Sequence, residues 1–220
     1  MRTRAVLFFI MMVCASCNIA RADLIYDIFF RGAFGDAIDS TTNATPEQKF
    51  TGVQVIFRET VSGGSTSLLA AANLNAYAVN VFNTGSNGTF NTLTLNTSGG
   101  FAGAANDANT LNFVALGISF GQPGRTSTDI GGGRREALLG TLDLVAPTAG
   151  STTFRLADFS SSDGDFTTFL TGASGLESLA VASGGSLNGR SLTITAVPEP
   201  SSLLLLGIPI AIGLMRRKRS

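Results

Sequence analysis

Residues 138–156 read LLGTLDLVAPTAGSTTFRL, and this stretch decides the fold prediction. Two short runs, 138–145 and 152–156, partly alternate apolar and polar residues, as strands with one buried face do. The Pro, Thr, Ala and Gly residues between them are typical of a turn. The stretch therefore predicts two consecutive β-strands joined by a short connection.

The same pattern recurs along the body of the chain. Glycine-rich turns separate the runs, and no helical periodicity extends over 11 or more residues. About nine strands are predicted, at residues 24–30, 50–59, 74–82, 89–95, 111–120, 138–145, 152–156, 176–181 and 191–197. We therefore expect an all-β fold, an antiparallel β-sandwich or jelly roll, in a single domain over residues 23–196.

Residues 50–69 and 138–156 resemble the strand pattern of cohesin-like and carbohydrate-binding sandwiches of secreted envelope proteins. The resemblance concerns architecture. It implies a sandwich fold and identifies no binding residue, because one fold hosts many functions.

Composition excludes several classes of function. Residues 23–196 contain eight basic and fourteen acidic residues, a net charge of −6, so they offer no basic face for nucleic acid. The chain has no His, and its two cysteines, Cys14 and Cys17, precede the body. The body thus lacks an imidazole base, a thiol nucleophile and a zinc-ligand set. We expect no catalytic residue and no enzyme activity.

The first 22 residues have the order of a secretory signal peptide. A basic start is followed by an apolar run at 5–13, and Ala20 and Ala22 occupy the −3 and −1 positions of a signal-peptidase site. We expect signal peptidase to cut after Ala22, so that the mature chain begins at Asp23. The alternative is lipoprotein processing at Cys17, which follows two small residues.

Residues 197–220 form a second targeting segment. Val197, Pro198, Glu199 and Pro200 precede an apolar stretch at 203–215, and a basic cluster follows, comprising Arg216, Arg217, Lys218 and Arg219. This order resembles the PEP-CTERM protein-sorting signal of Gram-negative bacteria. The resemblance implies a membrane enzyme, exosortase, that recognises the segment and cuts near the Pro-Glu-Pro motif.

The apolar stretch at 203–215 is predicted to be a single transmembrane helix. Its 13 residues extend about 20 Å as a helix, so it spans the hydrocarbon core only marginally. The four basic residues act as a stop-transfer signal and leave the body outside the inner membrane. Two outcomes stay open, cleavage by exosortase or a permanent single-span anchor.

One acidic cluster is a candidate calcium site. Asp158, Asp163 and Asp165 lie within eight residues and supply the oxygen ligands that calcium prefers, although their spacing matches no standard calcium loop. A second acidic group, comprising Asp23, Asp27, Asp36 and Asp39, is spread too widely to define a site. Residues 134–136, Arg-Arg-Glu after three glycines, lack the order of a phosphate-binding loop and are expected to lie in a mobile loop.

Three functions follow, in order of preference. The first is a structural or adhesive protein of the cell envelope or extracellular matrix, associated with exopolysaccharide and sorted by exosortase. The second is a secreted carbohydrate-binding module, calcium-dependent through the aspartates above. The third is a small glycan hydrolase, which requires two carboxyls converging in a cleft with a raised pKa on one of them.

Overall fold

A computed structural model describes residues 24–85, 88–95, 101–102, 105–106, 110–117, 125–158, 168–170 and 186–198. These residues form fifteen strands and one four-residue helix, α1 (Leu68–Ala71). The strands are β1 (Leu24–Gly32), β2 (Gly35–Ala37), β3 (Ser40–Ala44), β4 (Lys49–Val61), β5 (Leu74–Gly85), β6 (Thr89–Leu95), β7 (Phe101–Ala102), β8 (Ala105–Asn106), β9 (Thr110–Gly117), β10 (Thr128–Gly131), β11 (Arg134–Val145), β12 (Ser151–Asp158), β13 (Thr168–Leu170), β14 (Ser186–Gly189) and β15 (Ser191–Ala196).

The strands form two sheets that share one core. The first sheet has the order β10-β11-β4-β1-β14, with β2 also beside β1 and β6 also beside β11. The second has the order β3-β15-β12-β5-β9-β7, with β13 beside β5 and β8 beside β9. Apolar side chains from both sheets meet between them, among them Tyr26, Ile28, Phe57, Leu142, Val81, Phe154 and Ile194. The predicted all-β sandwich is confirmed.

Alternation along the strands explains the core. In β1 the residues Leu24, Tyr26, Ile28 and Phe30 belong to the core between the sheets, while Ile25, Asp27 and Phe29 lie on the other face of the sheet, where Asp27 and Phe29 are also buried. The ring of Tyr26 stacks on that of Phe57 in β4, with centroids 5.4 Å apart and an interplanar angle of 4°. The interior is thus packed by side chains that the two-residue period selects.

Two strand pairs differ from the antiparallel prediction. β14 pairs with β1, and β15 pairs with β3, in parallel. β14 and β15 are separated only by Arg190, where the chain passes from the first sheet to the second. Since one residue cannot reverse the chain, both strands keep their direction and run alongside β1 and β3 respectively.

The sandwich has two distinct ends. At the end where β15 finishes, the amide of Val197 donates to the carbonyl of Ala44 at 2.8 Å, and we call this the tail end. β4 begins and β11 finishes near this end, since Ala146, just after β11, donates to Gln48, just before β4. The opposite, far end contains the end of β4, the start of β11 and α1. The twelve residues of β11 place the two ends about 35 Å apart.

Within the described residues, no helix has the length and apolar character needed to cross a membrane. The predicted transmembrane segment at 203–215 and the predicted signal peptide at 1–22 lie outside the described residues, as does the strand expected at 176–181.

Candidate functional site

The first candidate site is the junction between the sandwich and the C-terminal targeting segment. β15 lies between β12 and β3 and pairs with five residues of each. Its last residue, Ala196, donates from its amide to the carbonyl of Gly150 at 2.9 Å. Val197 and Pro198 follow directly and are exposed. The fold therefore ends where the targeting segment begins, and a cut beyond Pro198 removes no strand.

A second Pro-Glu pair lies beside this junction. The parallel register aligns Ala196 of β15 with Ala44 of β3. Val-Pro-Glu follows the first alanine and Thr-Pro-Glu follows the second. In the turn that follows β3, Glu47 has a φ of 61°, a left-handed conformation that is unusual for residues other than glycine. The Pro46-Glu47 pair in this turn therefore serves as a control for substitutions of the Pro198-Glu199 pair.

An ion-pair layer covers the outer face of the first sheet. It comprises Arg31, Asp36, Arg58 and Glu136. Arg31 binds both Glu136 oxygens, at 2.7 and 2.8 Å, and Arg58 donates from Nε to the same carboxylate at 2.7 Å. Asp36 accepts hydrogen bonds from both arginines. The Arg58 guanidinium lies over the fully buried ring of Phe29, 4.4 Å from its centroid.

The charges of this layer are paired rather than arranged for proton transfer. The pKa of Asp36 lies below its usual value, chiefly because Arg31 donates to it. Burial acts to raise the pKa of Glu136, but hydrogen bonds from Arg31 and Arg58 outweigh burial and lower it. A glycosidase acid requires a raised pKa, so this converging carboxylate pair does not meet the condition set for a hydrolase.

A second ion-paired cluster lies at two of the places where the chain passes from the first sheet to the second, between β2 and β3 and between β14 and β15, and we call it the corner clamp. It comprises Asp27, Asp39 and Arg190. Arg190 donates to Asp27 at 2.8 Å and to Asp39 at 2.9 Å. Asp39 also accepts from the amide and hydroxyl of Ser191, both at 3.0 Å. Burial acts to raise the pKa of Asp39, but these hydrogen bonds lower it on balance.

Glu59 is a fully buried carboxylate at the far end. The hydroxyl of Tyr26 donates to its Oε2 at 2.8 Å, and the hydroxyl of Ser67 donates to Oε1. The amides of Leu68 and Leu69 in α1 donate to Oε2 at 2.9 and 3.2 Å. Burial, and then the charge of Glu59, raise the pKa of Tyr26 well above its usual value. Glu59 therefore fixes α1 to the sheet.

A groove of about 250 Å³ opens next to this carboxylate at the far end. It is lined by Val61, Ser65, Ser67, Ala70, Asp129, Gly133, Arg134 and Arg135. Arg135 is held by Asp129 at 3.3 Å and by the hydroxyl and carbonyl of Ser127 at 2.8 and 3.2 Å. Among the described residues, the side chain of the exposed Arg134 makes only a long contact, 3.4 Å from Nε to the carbonyl of Gly131. The groove is a distinct binding-sized concavity that the sequence did not indicate.

The structure corrects the expectation for residues 134–136. They begin strand β11 and are not a mobile loop, because Gly132 and Gly133, both with positive φ, form the tight turn between β10 and β11 and Gly131 pairs with Arg134. Pairing with β4 aligns Glu136 with Arg58, so the carboxylate joins the ion-pair layer. Three members of the second acidic group, Asp27, Asp36 and Asp39, each form an ion pair with an arginine, and the fourth, Asp23, lies outside the described residues.

Other predicted site residues lie outside the described residues. They are Ala20, Ala22, Asp163, Asp165, Glu199, Pro200, Arg216, Arg217, Lys218 and Arg219. Asp158 is the last residue of β12. In the part of the chain that the structure describes, no group of three or more acidic, His or Cys side chains is placed to hold a metal ion. The calcium site stays a prediction.

Comparison with known families gives one match. Residues 196–219 match the PEP-CTERM protein-sorting motif, which confirms the resemblance expected from the C-terminal sequence. The match begins at the last residue of β15, where the fold ends. No curated protein sequence matches the chain.

The structural neighbours are cohesin domains. CaCohA2 from Clostridium acetobutylicum aligns with a TM-score of 0.43 and 8% identity, over 79% of this chain and 91% of that one. The sixth cohesin of Acetivibrio cellulolyticus scaffoldin B, solved with a Cel5 dockerin, aligns with a TM-score of 0.42 and 8% identity. The alignment covers 80% of this chain and 99% of that one. A non-cellulosomal cohesin from the archaeon Archaeoglobus fulgidus aligns with a TM-score of 0.34 and 10% identity, over 82% of this chain and 95% of that one. These similarities concern strand arrangement alone and do not indicate what is bound.

Proposed function

We propose that this chain is an exported, non-catalytic structural or adhesive protein that exosortase releases to the cell envelope or extracellular matrix. The observation that carries the proposal is the match to the PEP-CTERM protein-sorting motif at residues 196–219. Signal peptidase and exosortase are its processing partners in this proposal, and exopolysaccharide is the matrix component with which it associates.

The geometry of the junction supports processing of a folded protein. The last backbone hydrogen bonds of β15 involve Ala196 and Val197, and Pro198 is already exposed. A protease that grips an extended Pro-Glu-Pro segment can reach it without unfolding the sandwich. Between Val197 and the apolar stretch at 203 lie only five residues, which span at most about 18 Å. The tail end therefore faces the membrane before cleavage in this proposal.

The test is mass spectrometry of the terminal peptides of the protein recovered from inner membrane, envelope and medium fractions of its host. We expect an N-terminus at Asp23 and a C-terminus near residues 198–200 in the outer fractions. Glu199→Ala should accumulate uncut in the inner membrane. Glu47→Ala is the matched control, because it alters the Pro-Glu pair in the turn after β3. This variant should be processed normally.

Two results would overturn the proposal. One is wild-type protein that retains residues 203–215 and stays in the inner membrane, which identifies a permanent anchor. The other is Glu199→Ala protein that reaches the outer fractions with the wild-type C-terminus, which shows that another enzyme or site is used.

A further inference from the structure

We infer that the far-end groove binds a carboxylate-bearing sugar, a uronic acid unit of an acidic polysaccharide. The inference rests on the proposed function, since it names the kind of matrix component that a released or tethered sandwich meets. It assigns a binding role to residues of β4, β10 and β11 and of the segment around α1.

The first argument is the set of hydrogen-bond donors left for a ligand. No described residue accepts a hydrogen bond from either terminal nitrogen of Arg134, and the Ser65 hydroxyl has no hydrogen bond to a described residue. A guanidinium binds a carboxylate through two parallel N–H donors, and a neighbouring hydroxyl suits a ring hydroxyl. Val61 and Ala70 add an apolar part to the lining, which suits the C–H face of a pyranose ring.

The second argument is local charge. The groove is lined by Arg134, Arg135 and Asp129, and the last two neutralise each other at 3.3 Å. Among the side chains that line the groove, the positive charge of Arg134 therefore remains, although the body as a whole carries −6; the neighbouring Glu59 carboxylate is buried and already accepts hydrogen bonds from Tyr26, Ser67, Leu68 and Leu69. Because salt screens exposed charges beyond about 10 Å at 0.1 M, the local cation outweighs the distant acidic residues for a ligand seated in the groove.

The third argument is size and position. About 250 Å³ accommodates a single sugar ring and is too small for a folded partner. The groove is at the far end, about 35 Å from the junction that carries the sorting motif. A protein held at its tail end thus presents this groove away from the attachment point, towards the matrix.

The experiment is calorimetric titration of the full chain in detergent at about 0.1 M salt, where the acidic residues elsewhere on the body are screened. The probe is a β-1,4-linked trisaccharide of glucuronic acid, compared with the glucose trisaccharide of the same linkage, which lacks only the carboxylates. We expect the acidic trisaccharide to bind with a Kd below 1 mM and the neutral one at least tenfold more weakly. Arg134→Gln should weaken acidic binding at least tenfold, and Ser65→Ala severalfold.

Arg155→Gln is the matched control, because Arg155 is an exposed arginine on the second sheet. It should bind like the wild type, and all variants should keep the wild-type melting temperature. The inference is overturned if Arg134→Gln binds as well as wild type, if the neutral sugar binds equally, or if nothing binds at millimolar concentration. Tighter binding of a glutamate tripeptide also overturns it and identifies a site for acidic peptides.

This result is separable from the test of the proposed function. A chain that is sorted and cut as expected but does not bind the sugar refutes the groove alone. A chain that binds the sugar but remains uncut in the inner membrane refutes the sorting proposal alone.

Discussion

At the scale of single residues, Glu59 shows how a buried charge is made tolerable. A carboxylate without partners in an apolar interior costs several kcal/mol, and Glu59 is fully buried. It accepts four hydrogen bonds, from Tyr26, Ser67, Leu68 and Leu69. The sequence shows Glu59 only as the polar end of a predicted strand, because its partners come from β1 and from α1, which no periodicity predicts.

We expect Tyr26→Phe to lower the free energy of unfolding by about 1.5 to 3 kcal/mol, because it removes a donor to a buried charge while preserving the ring stack on Phe57. Urea unfolding followed by circular dichroism measures the change. Thr153→Val, which removes the half-buried 2.8 Å contact to Thr193, is the control and should cost about 1 kcal/mol or less. A loss below 0.5 kcal/mol for Tyr26→Phe would contradict this account of Glu59.

Glu47 is a residue in an unfavourable backbone conformation. Its φ of 61° costs about 1 kcal/mol for a residue with a side chain, and Pro46 precedes it in the turn after β3. Glu47→Gly should therefore raise the free energy of unfolding by about 0.5 to 1 kcal/mol despite the greater freedom of glycine in the unfolded chain. The urea midpoint reports this change. Glu47→Ala should give no gain, and an equal gain from alanine would show that charge, not conformation, is responsible.

At the scale of elements, the corner clamp joins the two sheets. Arg190 bonds both sheets through its backbone, donating to Ile28 at 2.9 Å and accepting from Leu156 at 3.1 Å. Its side chain then ties Asp27 in β1 to Asp39, which lies between β2 and β3. One arginine thus holds two of the passages between the sheets, from β2 to β3 and from β14 to β15.

Arg190→Met should destabilise the protein by about 2 to 4 kcal/mol, because it leaves the buried Asp27 without its cationic partner. Arg155→Met removes an exposed arginine that contacts Phe82 and should cost about 1 kcal/mol or less. Thermal unfolding of both variants measures the difference. Equal losses would show that Asp27 does not depend on Arg190.

Strand pattern predicted some elements and missed others. The strand predicted at 138–145 is the C-terminal part of β11, whereas the sequence predicts a loop for residues 134–136, which begin the same strand. Charged residues at a strand start hide the apolar alternation, and only the pairing with β4 reveals that Glu136 faces Arg58. Short strands such as β2 and β10 have no periodicity to detect and exist because neighbouring strands supply their hydrogen bonds.

At the scale of the whole molecule, stability should depend on pH through the ion-paired carboxyls. The pKa values of Asp36, Asp39 and Glu136 are lower in the folded protein than their ordinary values of 3.8 and 4.5. Their contribution is therefore complete above about pH 5 and is lost as the pH falls through the lowered values. We expect the free energy of unfolding to be constant from pH 7 to 5 and to fall below pH 4.5.

Urea unfolding between pH 7 and pH 3 measures this dependence. Glu136→Gln should be less stable than wild type at pH 7 and should show a smaller loss on acidification, since one of the titrating groups is gone. An identical slope in wild type and variant would remove Glu136 from the explanation.

The sandwich and the sorting motif could be predicted from the sequence, but the groove could not. Both predicted features are local: a two-residue period within strands and an ordered run of residues at 197–219. The groove joins residues from 61 to 135 that meet only after β4, β10 and β11 pair and α1 packs on Glu59. Arg134 and Ser65 carry no signal in sequence, because an arginine after glycines and a serine among serines are ordinary.

The position of β15 has a mechanical consequence. β15 lies between β12 and β3 with five paired residues on each side, and the C-terminal segment follows directly after it in the sequence. A pull on that segment loads the hydrogen bonds of both neighbours in shear, so they must break together rather than one after another. A strand at a sheet edge pulled sideways would instead unzip. A sandwich pulled through this segment therefore resists with two strand pairs at once.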